Sequence, residues 1–529
     1  MRKSIFLFSM GALLSLSALS ACGGQVDKSD KYTKDGKLKI SLRNLYFDDY
    51  RGGDSYLQEL ERQFQVKFSF EAYSWANWKT QVSGQVNGGN LPDVFHADVD
   101  SYNFKNTYLK WADNKVIKPL PADLSRWPNI EKMLDNTSNK EALKINGQYY
   151  GIPIAKNTTD YSTSFSPFTY MYRRDWAKQY GVYKANDEYT WAEFENLLKT
   201  FANKFSGSGR YALGDDKWGY PSIVNFYKQV PHCFAYDETT HKYVNNYTTN
   251  EYIEGLKESR RFMTSGYYYP SENTAKDGDV TKLYYGNKVG VLFDNFSYSN
   301  FYTIKTQLKK SNSSVTGFNA DDATAIMKVK GTDGKYALEG TDNWYSMTLF
   351  DYRISDNKQE KMLDVLDWLL SEEGTTFAIY GIEDYDYEIV NGQIKLVEAY
   401  WPKDPKTGTY ARKNNGGKYV RYLVSLGYDT LDYDPLTDKD VINYLNSWDQ
   451  DMKTALENNQ LKVLKEKDEV RWLTTKQKSS YCSTMRDDAL KYVRQYIGGS
   501  ISSIDSYKGK FGYPWPEVLE EINNYFENK

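Results

Sequence analysis

The spacing of apolar residues along the first hundred residues follows two periods, one typical of β-strands and one typical of α-helices. Residues 37–43 and 66–72 alternate apolar with polar side chains, which predicts two β-strands. Apolar residues at helical spacing over 56–64 and 78–86 predict the helices that follow these strands. A short apolar segment at 94–95 predicts a third, buried strand. This β-α-β-α-β order favours a parallel sheet with crossover helices.

A second α/β pattern begins near residue 169. A strand over 169–172 leads into a helix over 175–180, and a later apolar strand is predicted over 289–293. Thr190 and Glu193 have the spacing of a capping box, with Thr190 as the N-cap of a long helix. Further helices are predicted over 250–264, 360–370, 442–457, 491–497 and 515–526. Two separate α/β units predict two lobes around a cleft, followed by additional C-terminal helices.

The length of the chain agrees with more than one lobe. The chain has 529 residues, and single hydrophobic cores rarely grow beyond about 250–300 residues. Its 67 lysines and arginines nearly balance its 70 acidic residues, so nucleic acid is a poor candidate partner. No apolar segment after the leader approaches the ~20 residues that span a bilayer.

The N-terminus has the pattern of a secretory signal peptide. Arg2 and Lys3 precede an apolar and small-residue segment over 5–19. Leu19-Ser-Ala-Cys22 then resembles the bacterial lipobox, in which the cysteine is diacylated and becomes the new N-terminus. An ordinary secreted protein with a cysteine at this place is the alternative. We expect lipidation at Cys22, a flexible polar tether over 23–36, and a body outside the cytoplasmic membrane.

Candidate catalytic and metal-binding chemistry is sparse. The chain has three histidines and three cysteines without zinc-ligand spacing, and neither a Gly-x-Ser-x-Gly elbow nor a phosphate-binding loop is present. We therefore expect no cofactor and no metal. Cys233 and Cys482 can form a disulfide or remain separate buried thiols, and the chain length favours separate thiols.

Aromatic residues are abundant. The chain contains 48 tyrosines and 13 tryptophans, and flat rings with a polar group suit the apolar faces and polar rims of sugars. A tyrosine-rich but otherwise ordinary globular protein has the same composition, so composition alone leaves both interpretations open.

Four segments resemble the extracellular solute-binding proteins of carbohydrate ABC transporters, the maltose-binding-protein-like family in its long Gram-positive lipoprotein branch. They occur in the family order: Gly88-Gly-Asn-Leu-Pro-Asp-Val-Phe95, Asn146-Gly-Gln-Tyr-Tyr-Gly-Ile-Pro153, Tyr170-Met-Tyr-Arg-Arg-Asp-Trp176 with Thr190-Trp-Ala-Glu-Phe194, and Tyr380-Gly-Ile-Glu-Asp-Tyr-Asp-Tyr387. In the last segment Asp384 replaces the usual glycine. The resemblance implies a two-lobed α/β periplasmic-binding-protein-like fold, with hinged lobes that close on a sugar and deliver it to membrane permease subunits.

The predicted ligand contacts in the first lobe follow its second and third strands. Trp78 shares the apolar helix face with Val82 and is expected in the core, whereas Trp75 lies off that face and is the better stacking residue. Asp98 and Asp100 follow the third strand at period two, so both can face one side and accept sugar hydroxyls. A solvated loop is the alternative for these two carboxylates.

The other predicted contacts lie further along the chain. Trp218 and Tyr220 occupy a glycine-flanked loop and are candidate stacking residues of the second lobe. The resemblance places an aromatic residue at the second crossing between lobes, where Phe296 and Tyr298 lie. Trp344 can line the cleft or brace the hinge. Arg173 has two possible roles: it can contact a sugar or form a structural salt bridge.

We therefore expect a lipid-anchored monomer that binds an oligosaccharide and is not an enzyme. The expected first lobe comprises residues 37–155 and 295–343, and the second comprises 156–294 and 344–529 with the C-terminal helices. A surface glycoside hydrolase or lyase is the enzymatic alternative, since such enzymes use two carboxylates and the chain has many. A glycan-capture protein without transport and a non-sugar cargo are further alternatives.

Overall fold

The computed structural model describes residues 27–528 except for eleven internal gaps. The gaps are 46, 48–51, 73–76, 99–103, 157–167, 216–221, 229–232, 270–277, 403–417, 427–430 and 432–433. The predicted leader and lipidation site at Cys22 lie outside the described residues. Among the described residues, no helix is both long enough and apolar enough to cross a membrane.

The described strands form two five-stranded sheets and several short two-stranded ladders. They are β1 (Leu38–Asn44), β2 (Val66–Ala72), β3 (Val94–Ala97), β4 (Lys144–Ile145), β5 (Gln148–Tyr149), β6 (Gly151–Ala155), β7 (Phe168–Arg173), β8 (Glu188–Tyr189), β9 (Tyr211–Asp215), β10 (Phe234–Asp237), β11 (Lys242–Asn245), β12 (Val289–Asn295), β13 (Thr324–Val329), β14 (Tyr336–Glu339), β15 (Trp344–Phe350), β16 (Tyr387–Val390), β17 (Gln393–Leu396) and β18 (Leu461–Leu464).

The α-helices cover the faces of both sheets and form most of the chain after residue 355. They are α1 (Ser55–Gln63), α2 (Trp78–Gly88), α3 (Phe104–Asp113), α4 (Pro128–Asn136), α5 (Lys140–Leu143), α6 (Arg174–Gln179), α7 (Trp191–Phe205), α8 (Ser222–Lys228), α9 (Asn250–Thr264), α10 (Asp279–Tyr285), α11 (Tyr298–Ser311), α12 (Ala320–Ala323), α13 (Asp356–Leu369), α14 (Glu372–Tyr380), α15 (Lys418–Arg421), α16 (Lys439–Glu457), α17 (Asp468–Arg471), α18 (Lys476–Ile497), α19 (Ile504–Lys508) and α20 (Trp515–Glu527). Short 3-10 helices cover Ala185–Asp187 and Asn246–Thr248.

The sheet of the first lobe has the order β2-β1-β3-β15-β6. Strands β1, β2 and β3 are parallel, as their pattern predicts, and β15 runs antiparallel to both β3 and β6. Helices α1 and α13 pack with this sheet in one buried cluster that includes Leu42, Leu60 and Leu366. Trp78 and Val82 of α2 lie in the cluster on the other face, which confirms the prediction that Trp78 belongs to the core.

The sheet of the second lobe has the order β8-β13-β7-β12-β9. Strand β7 is antiparallel to both of its neighbours, and β12 is parallel to β9. The predicted capping box begins α7: the Thr190 hydroxyl accepts a hydrogen bond from the Glu193 backbone N–H, and the Glu193 carboxylate accepts from Thr190 N–H. The capped helix buries Phe194 and Phe201 against the sheet, so this local signal positions a core element.

The predicted boundaries between the lobes are wrong after residue 294. Strand β13, within the segment assigned to the first lobe, pairs with β7 of the second sheet. Strand β15, assigned to the second lobe, pairs with β3 and β6 of the first sheet, and α13 packs on the same lobe. The chain therefore returns to the first lobe between β13 and β15. The sequence did not predict this return, because strands pair with distant partners that local apolar patterns do not identify.

The predicted flexible tether is also partly wrong. From Asp27 the segment lies on the first lobe, and Lys28 is only 6 % exposed. Its Nζ donates to Leu91 O and lies 3.3 Å from Asp93 Oδ1 and 3.5 Å from Asp351 Oδ2. Asp30 accepts hydrogen bonds from the Ser355 hydroxyl at the start of α13. Lys28 and Asp30 thus attach the segment to the first lobe, although most of its other residues are exposed.

The C-terminal helices pack mainly on the second lobe. Helices α18 and α20 share a buried cluster with α9, and α18 begins fifteen residues before the predicted helix over 491–497. Cys233 and Cys482 lie in this cluster as two free, buried thiols, as the chain length favoured. A smaller contact reaches the first lobe, where the Ser479 hydroxyl donates to Asn106 Oδ1 at 2.6 Å.

Candidate functional site

Two of the crossings between the lobes lie at corresponding edges of the two sheets. One leaves β6 at Ala155 and enters β7 at Phe168, and the other runs from Val329 to Trp344. Ala155 and Trp344 are partners at the edge of the first sheet where the parallel strands end. Phe168 pairs with Asn295, the carboxyl end of β12, in the second sheet. The carboxyl ends of the parallel strands of both lobes therefore border the crossings, and open α/β sheets bind ligands at such edges.

A buried set of hydrogen-bonded polar side chains lies on the first-lobe side of this edge. The Thr348 hydroxyl lies 2.8 Å from His96 Nε2, and Asn44 Nδ2 lies 3.5 Å from the same nitrogen. Asn44 also donates to Tyr422 O at 3.3 Å. Burial lowers the pKa of His96 to about 3, so the imidazole is neutral at physiological pH. Because His96 is 0 % exposed, it is a structural hydrogen-bonding residue rather than an acid or base for a ligand in the cleft.

The second-lobe side of the edge carries two buried carboxylates. Asp215 ends β9 and accepts hydrogen bonds of 3.0 Å from the backbone N–H and the hydroxyl of Ser222. Asp294, the penultimate residue of β12, accepts from the Thr281 hydroxyl at 2.6 Å and from Asn300 Nδ2 at 3.2 Å. Their exposed fractions are 1 % and 7 %. Each carboxylate thus fixes the start of the following helix or loop at the edge.

The second crossing is held by a buried charge cluster, which we call the hinge cluster (Asn139, Asp342, Lys465, Arg471). Asp342 is 0 % exposed and accepts hydrogen bonds from Asn139 Nδ2 at 2.9 Å, Lys465 Nζ at 3.1 Å and Arg471 at 2.8 Å. Lys465 and Arg471 belong to the C-terminal region. The cluster therefore connects the crossing, the first lobe and the C-terminal region at one point.

The two crossings also touch each other. The Lys156 backbone N–H donates to Asn343 O at 2.9 Å, and the Lys156 ammonium donates to the Thr341 hydroxyl at 2.5 Å. The Asn343 side chain accepts hydrogen bonds from both the backbone and the hydroxyl of Ser138. The crossings are consequently joined to each other and to the end of α4 where they leave the first lobe.

Several predicted ligand contacts lie outside the described residues. They are Trp75, Asp100, Trp218 and Tyr220. The described strands that precede them along the chain are β2, which ends at Ala72, β3, which ends at Ala97, and β9, which ends at Asp215. Asp98, which is described, is half-buried directly after β3. Asp98 therefore lies at the edge that borders the crossings, and the roles of all five residues remain predictions.

Phe296 and Tyr298 do not lie at a crossing. The chain turns into α11 after β12 and stays in the second lobe, so the expected second crossing occurs elsewhere. Phe296 is 2 % exposed and packs in an apolar cluster with Phe301 and Ile304. The Tyr298 hydroxyl accepts a hydrogen bond of 2.7 Å from the Asp438 backbone N–H at the start of α16. Both side chains therefore hold helices in place in this structure.

Trp344 braces the hinge rather than lining the cleft. It is 1 % exposed, and its Nε1–H donates to Ser138 O at 3.1 Å. Its ring stacks on Trp472 of the C-terminal region with ring centroids 6.0 Å apart. Trp344 thus supports the same crossing as the hinge cluster, two residues after Asp342.

Arg173 has the structural role that the sequence left as its alternative. The side chain is 2 % exposed and forms a bidentate pair with Asp175 at 2.5 and 2.8 Å. Its guanidinium lies 3.9 Å from the centroid of the Trp176 ring, and it also donates to Asn287 Oδ1. With its charge and donors engaged in the second-lobe core, Arg173 is not placed to contact a ligand at the strand ends.

Sequence reasoning missed Asn44, His96 and Asp342. His96 is the single polar residue of β3, Asn44 ends an alternating strand, and Asp342 lies two residues before Trp344. A polar residue inside an otherwise buried strand signals a buried hydrogen-bonded group. The described residues contain no group of three or more histidine, cysteine or acidic side chains arranged to hold a metal.

Comparisons with known proteins agree with this architecture. Residues 55–282 match the family described as bacterial extracellular solute-binding protein. No curated protein matches the chain.

Among solved structures, the chain is similar to the alginate-binding protein AlgQ2 without calcium ion, at 16 % identity and a TM-score of 0.63, over 92 % of this chain and 98 % of that one. It is similar to the Streptococcus pneumoniae ABC-transporter substrate-binding protein FusA in complex with kestose, at 15 % identity and a TM-score of 0.62, over 93 % and 99 %. It is also similar to a human-milk-oligosaccharide (HMO) binding solute-binding protein from Bifidobacterium longum infantis, at 14 % identity and a TM-score of 0.61, over 93 % and 99 %.

These likenesses extend over almost the full length of each solved chain and confirm the two-lobed α/β fold. The family match covers β2 to β11, so it includes β3, β6, β7 and β9 at the crossings but not β12 or β15. Residues 55–282, somewhat less than half of the chain, are therefore similar to the family of bacterial extracellular solute-binding proteins, and the whole chain shares its fold with the solved structures.

Proposed function

We propose that the protein is a lipid-anchored, monomeric substrate-binding component that captures an oligosaccharide and delivers it to an ABC importer. The observation that carries the proposal is the meeting of strand ends from both sheets at the two crossings. A ligand held between such edges contacts both lobes, so its binding energy favours a closed arrangement.

The ligand class is supported by two independent features. Residues 73–76, 99–103 and 216–221 carry tryptophan, tyrosine and aspartate at the strand ends, which suits stacking on sugar faces and hydrogen bonding to hydroxyls. The similar solved proteins are named for alginate, kestose and human milk oligosaccharides. An oligosaccharide is therefore the cargo that fits both the residues and the comparisons best.

Sugar binding is tested by thermal shift on residues 27–529 against a panel of mono- and oligosaccharides. A ligand specific for the folded protein adds ~2.7 kcal/mol of stability at a hundredfold excess over its Kd. We expect a clear shift with one sugar family and recovery of that sugar intact. Hydrolysis of the bound sugar would instead support an enzyme, and no shift across the panel would refute the sugar assignment.

The site itself is tested with Trp75→Ala. Loss of one stacking contact is expected to weaken sugar binding by about 1 kcal/mol or more, measured by calorimetry. Tyr525→Ala is the control, because Tyr525 is an exposed aromatic residue on α20, remote from the strand ends. Equal affinity of Trp75→Ala and the unmodified protein would remove Trp75 from the site.

Anchoring is tested separately from binding. Mass spectrometry of the membrane-extracted protein is expected to show a diacylated N-terminal cysteine at Cys22, and Cys22→Ala is expected to release the protein into the medium. An unmodified N-terminus elsewhere in the leader would refute lipidation while leaving the binding function intact.

A further inference from the structure

A cavity of about 570 Å³ opens on the second lobe beside α16. The sheet contributes Ile326 and Lys328 of β13 and the start of the neighbouring edge strand β8. No residue at the carboxyl ends of β9 or β12 lines it. The volume lies in the range of about 300–1,000 Å³ that is usual for small-molecule sites. This cavity, which we call the α16 cavity, adjoins the second crossing through Lys328 and Tyr336 but contains no residue from the ends of β9 and β12.

Three aromatic side chains from two elements line the α16 cavity. Tyr444 and Trp448 are one helical turn apart on α16, and Tyr336 begins β14. The Tyr444 hydroxyl accepts a hydrogen bond of 2.8 Å from the Ile326 backbone N–H, which fixes its position against β13. The wall is thus an aromatic surface supported by the secondary structure.

Trp448 contributes a hydrogen-bond donor that has no acceptor among the described residues. This donor is its indole Nε1, which is buried. Buried donors are normally satisfied, and an unsatisfied one signals a water or ligand acceptor. A ligand hydroxyl is a chemically suitable acceptor for an indole N–H beside an aromatic surface.

The carboxylates of the α16 cavity are each paired with a cation. Asp187 accepts from Arg174 Nε at 2.9 Å, and Asp451 lies 3.0 Å from Lys328 Nζ. Glu188 pairs with Lys330 across the edge of the sheet. The wall is therefore rich in hydrogen-bonding groups but close to electrically neutral. Such a surface suits a neutral polyhydroxylated ligand. It suits an ion less well, because wall charges that are already paired do not offset the free energy needed to remove the ion from water.

From the aromatic wall, the buried indole donor and the compensated charges, we infer that the α16 cavity is a second binding site for a neutral sugar unit. It goes beyond the cleft site of the proposed function and does not depend on it. A sugar ring would lie against the aromatic side chains, with a hydroxyl accepting from Trp448 and others contacting the Lys328–Asp451 pair.

The test is fluorine NMR of the protein carrying 5-fluorotryptophan, with Trp448→Phe used to assign the Trp448 resonance. Glucose, galactose, mannose, N-acetylglucosamine and maltose are titrated to about 100 mM, a hundredfold above a millimolar Kd. We expect the Trp448 resonance to shift saturably with at least one of these sugars. Absence of a shift with all five would overturn the inference.

Two variants separate this site from the cleft. Asp451→Asn keeps the shape of the wall but breaks its pairing with Lys328, and we expect it to weaken the Trp448 titration at least threefold. Trp75→Ala is expected to leave that titration unchanged. A Trp448 shift that has the midpoint of cleft binding and weakens with Trp75→Ala would assign the signal to lobe closure and overturn the second site.

The ligand class is tested with charged analogues. Glucuronate and glucosamine are titrated under the same conditions and are expected to shift the Trp448 resonance at least threefold more weakly than the best neutral sugar. Tighter binding of either analogue would overturn the assignment to a neutral sugar. A protein that binds nothing in its cleft can still give the expected Trp448 shift, so the failures of the two sites are distinguishable.

Discussion

Replacing Asp342 by asparagine removes the charge of the hinge cluster while keeping the size of the side chain. Asp342 is 0 % exposed and accepts hydrogen bonds from Arg471, Lys465 and Asn139 at 2.8–3.1 Å. Removing one partner of a fully buried ion pair costs about 3–5 kcal/mol, because the remaining charge stays desolvated. The substitution therefore tests whether this cluster holds the second crossing.

The expected magnitude is smaller than this limit. The side chains of Lys465 and Arg471 are 24 % and 16 % exposed, so water partly replaces the lost carboxylate. Lys465 also keeps Asp468, whose carboxylate lies 3.0 Å from its Nζ. We expect Asp342→Asn to lower the free energy of unfolding by about 2–3 kcal/mol.

Urea unfolding followed by tryptophan fluorescence measures this loss, since Trp344 and Trp472 stack beside the cluster. Asp468→Asn is the matched control: it removes a carboxylate from the same lysine, but this side chain is 42 % exposed, and its pair is expected to contribute less than about 1 kcal/mol. Equal effects of the two substitutions, or a loss under about 0.5 kcal/mol for Asp342→Asn, would refute the reasoning.

Three further predictions concern stability. Lys28→Met, which leaves Asp93 and Asp351 buried with fewer cations, is expected to lower the melting temperature more than Lys31→Met, whose side chain is 55 % exposed; equal melting temperatures would contradict the packed N-terminal segment. Burial lowers the pKa of His96 from 6.5 to about 3, so below pH 6.5 the unfolded chain binds a proton that the folded protein does not. As the pH falls below 6.5, protonation of His96 in the unfolded chain should lower the free energy of unfolding by up to about 1.4 kcal/mol per pH unit, and His96→Asn should flatten the pH profile. Thr190→Ala removes the N-cap of α7 and is expected to cost about 1 kcal/mol in urea unfolding, whereas an effect no larger than that of Thr240→Ala would argue against the cap.

Local patterns predicted most elements of the fold. The alternation in Val66–Ala72 and the capping box at Thr190 depend on neighbours within a few residues, and both elements occur where predicted. The sheet that each strand joins was not predictable in this way. Thr324–Val329 is an apolar strand like Trp344–Phe350, but their partners lie 140 or more residues away. The exchange of these two segments between the lobes follows from that distance.

The candidate site was predicted less well than the fold, for a different physical reason. Phe296 and Trp344 are predicted ligand contacts because they are aromatic, but aromatic rings stabilise cores as readily as they stack on sugars, and both side chains are buried. Arg173 was a donor near a strand, and its partner Asp175 is only two residues away, so the salt-bridge alternative was visible locally. The residues predicted after the ends of β2, β3 and β9, such as Trp75 and Asp98, stay predictions.

The packed N-terminal segment has a consequence for movement at the membrane surface. Lys28 lies where β3 begins and β15 ends, at the edge of the first sheet opposite the crossings. With Cys22 lipidated as proposed, Lys28 follows the anchor by six residues along the chain, a tether of about 20 Å at full extension. Such a short tether keeps the protein close to the bilayer, so that it reaches a permease by lateral diffusion in two dimensions. It also attaches the molecule by the end remote from its cleft, so reaching a membrane partner with the cleft requires the whole body to pivot about Lys28.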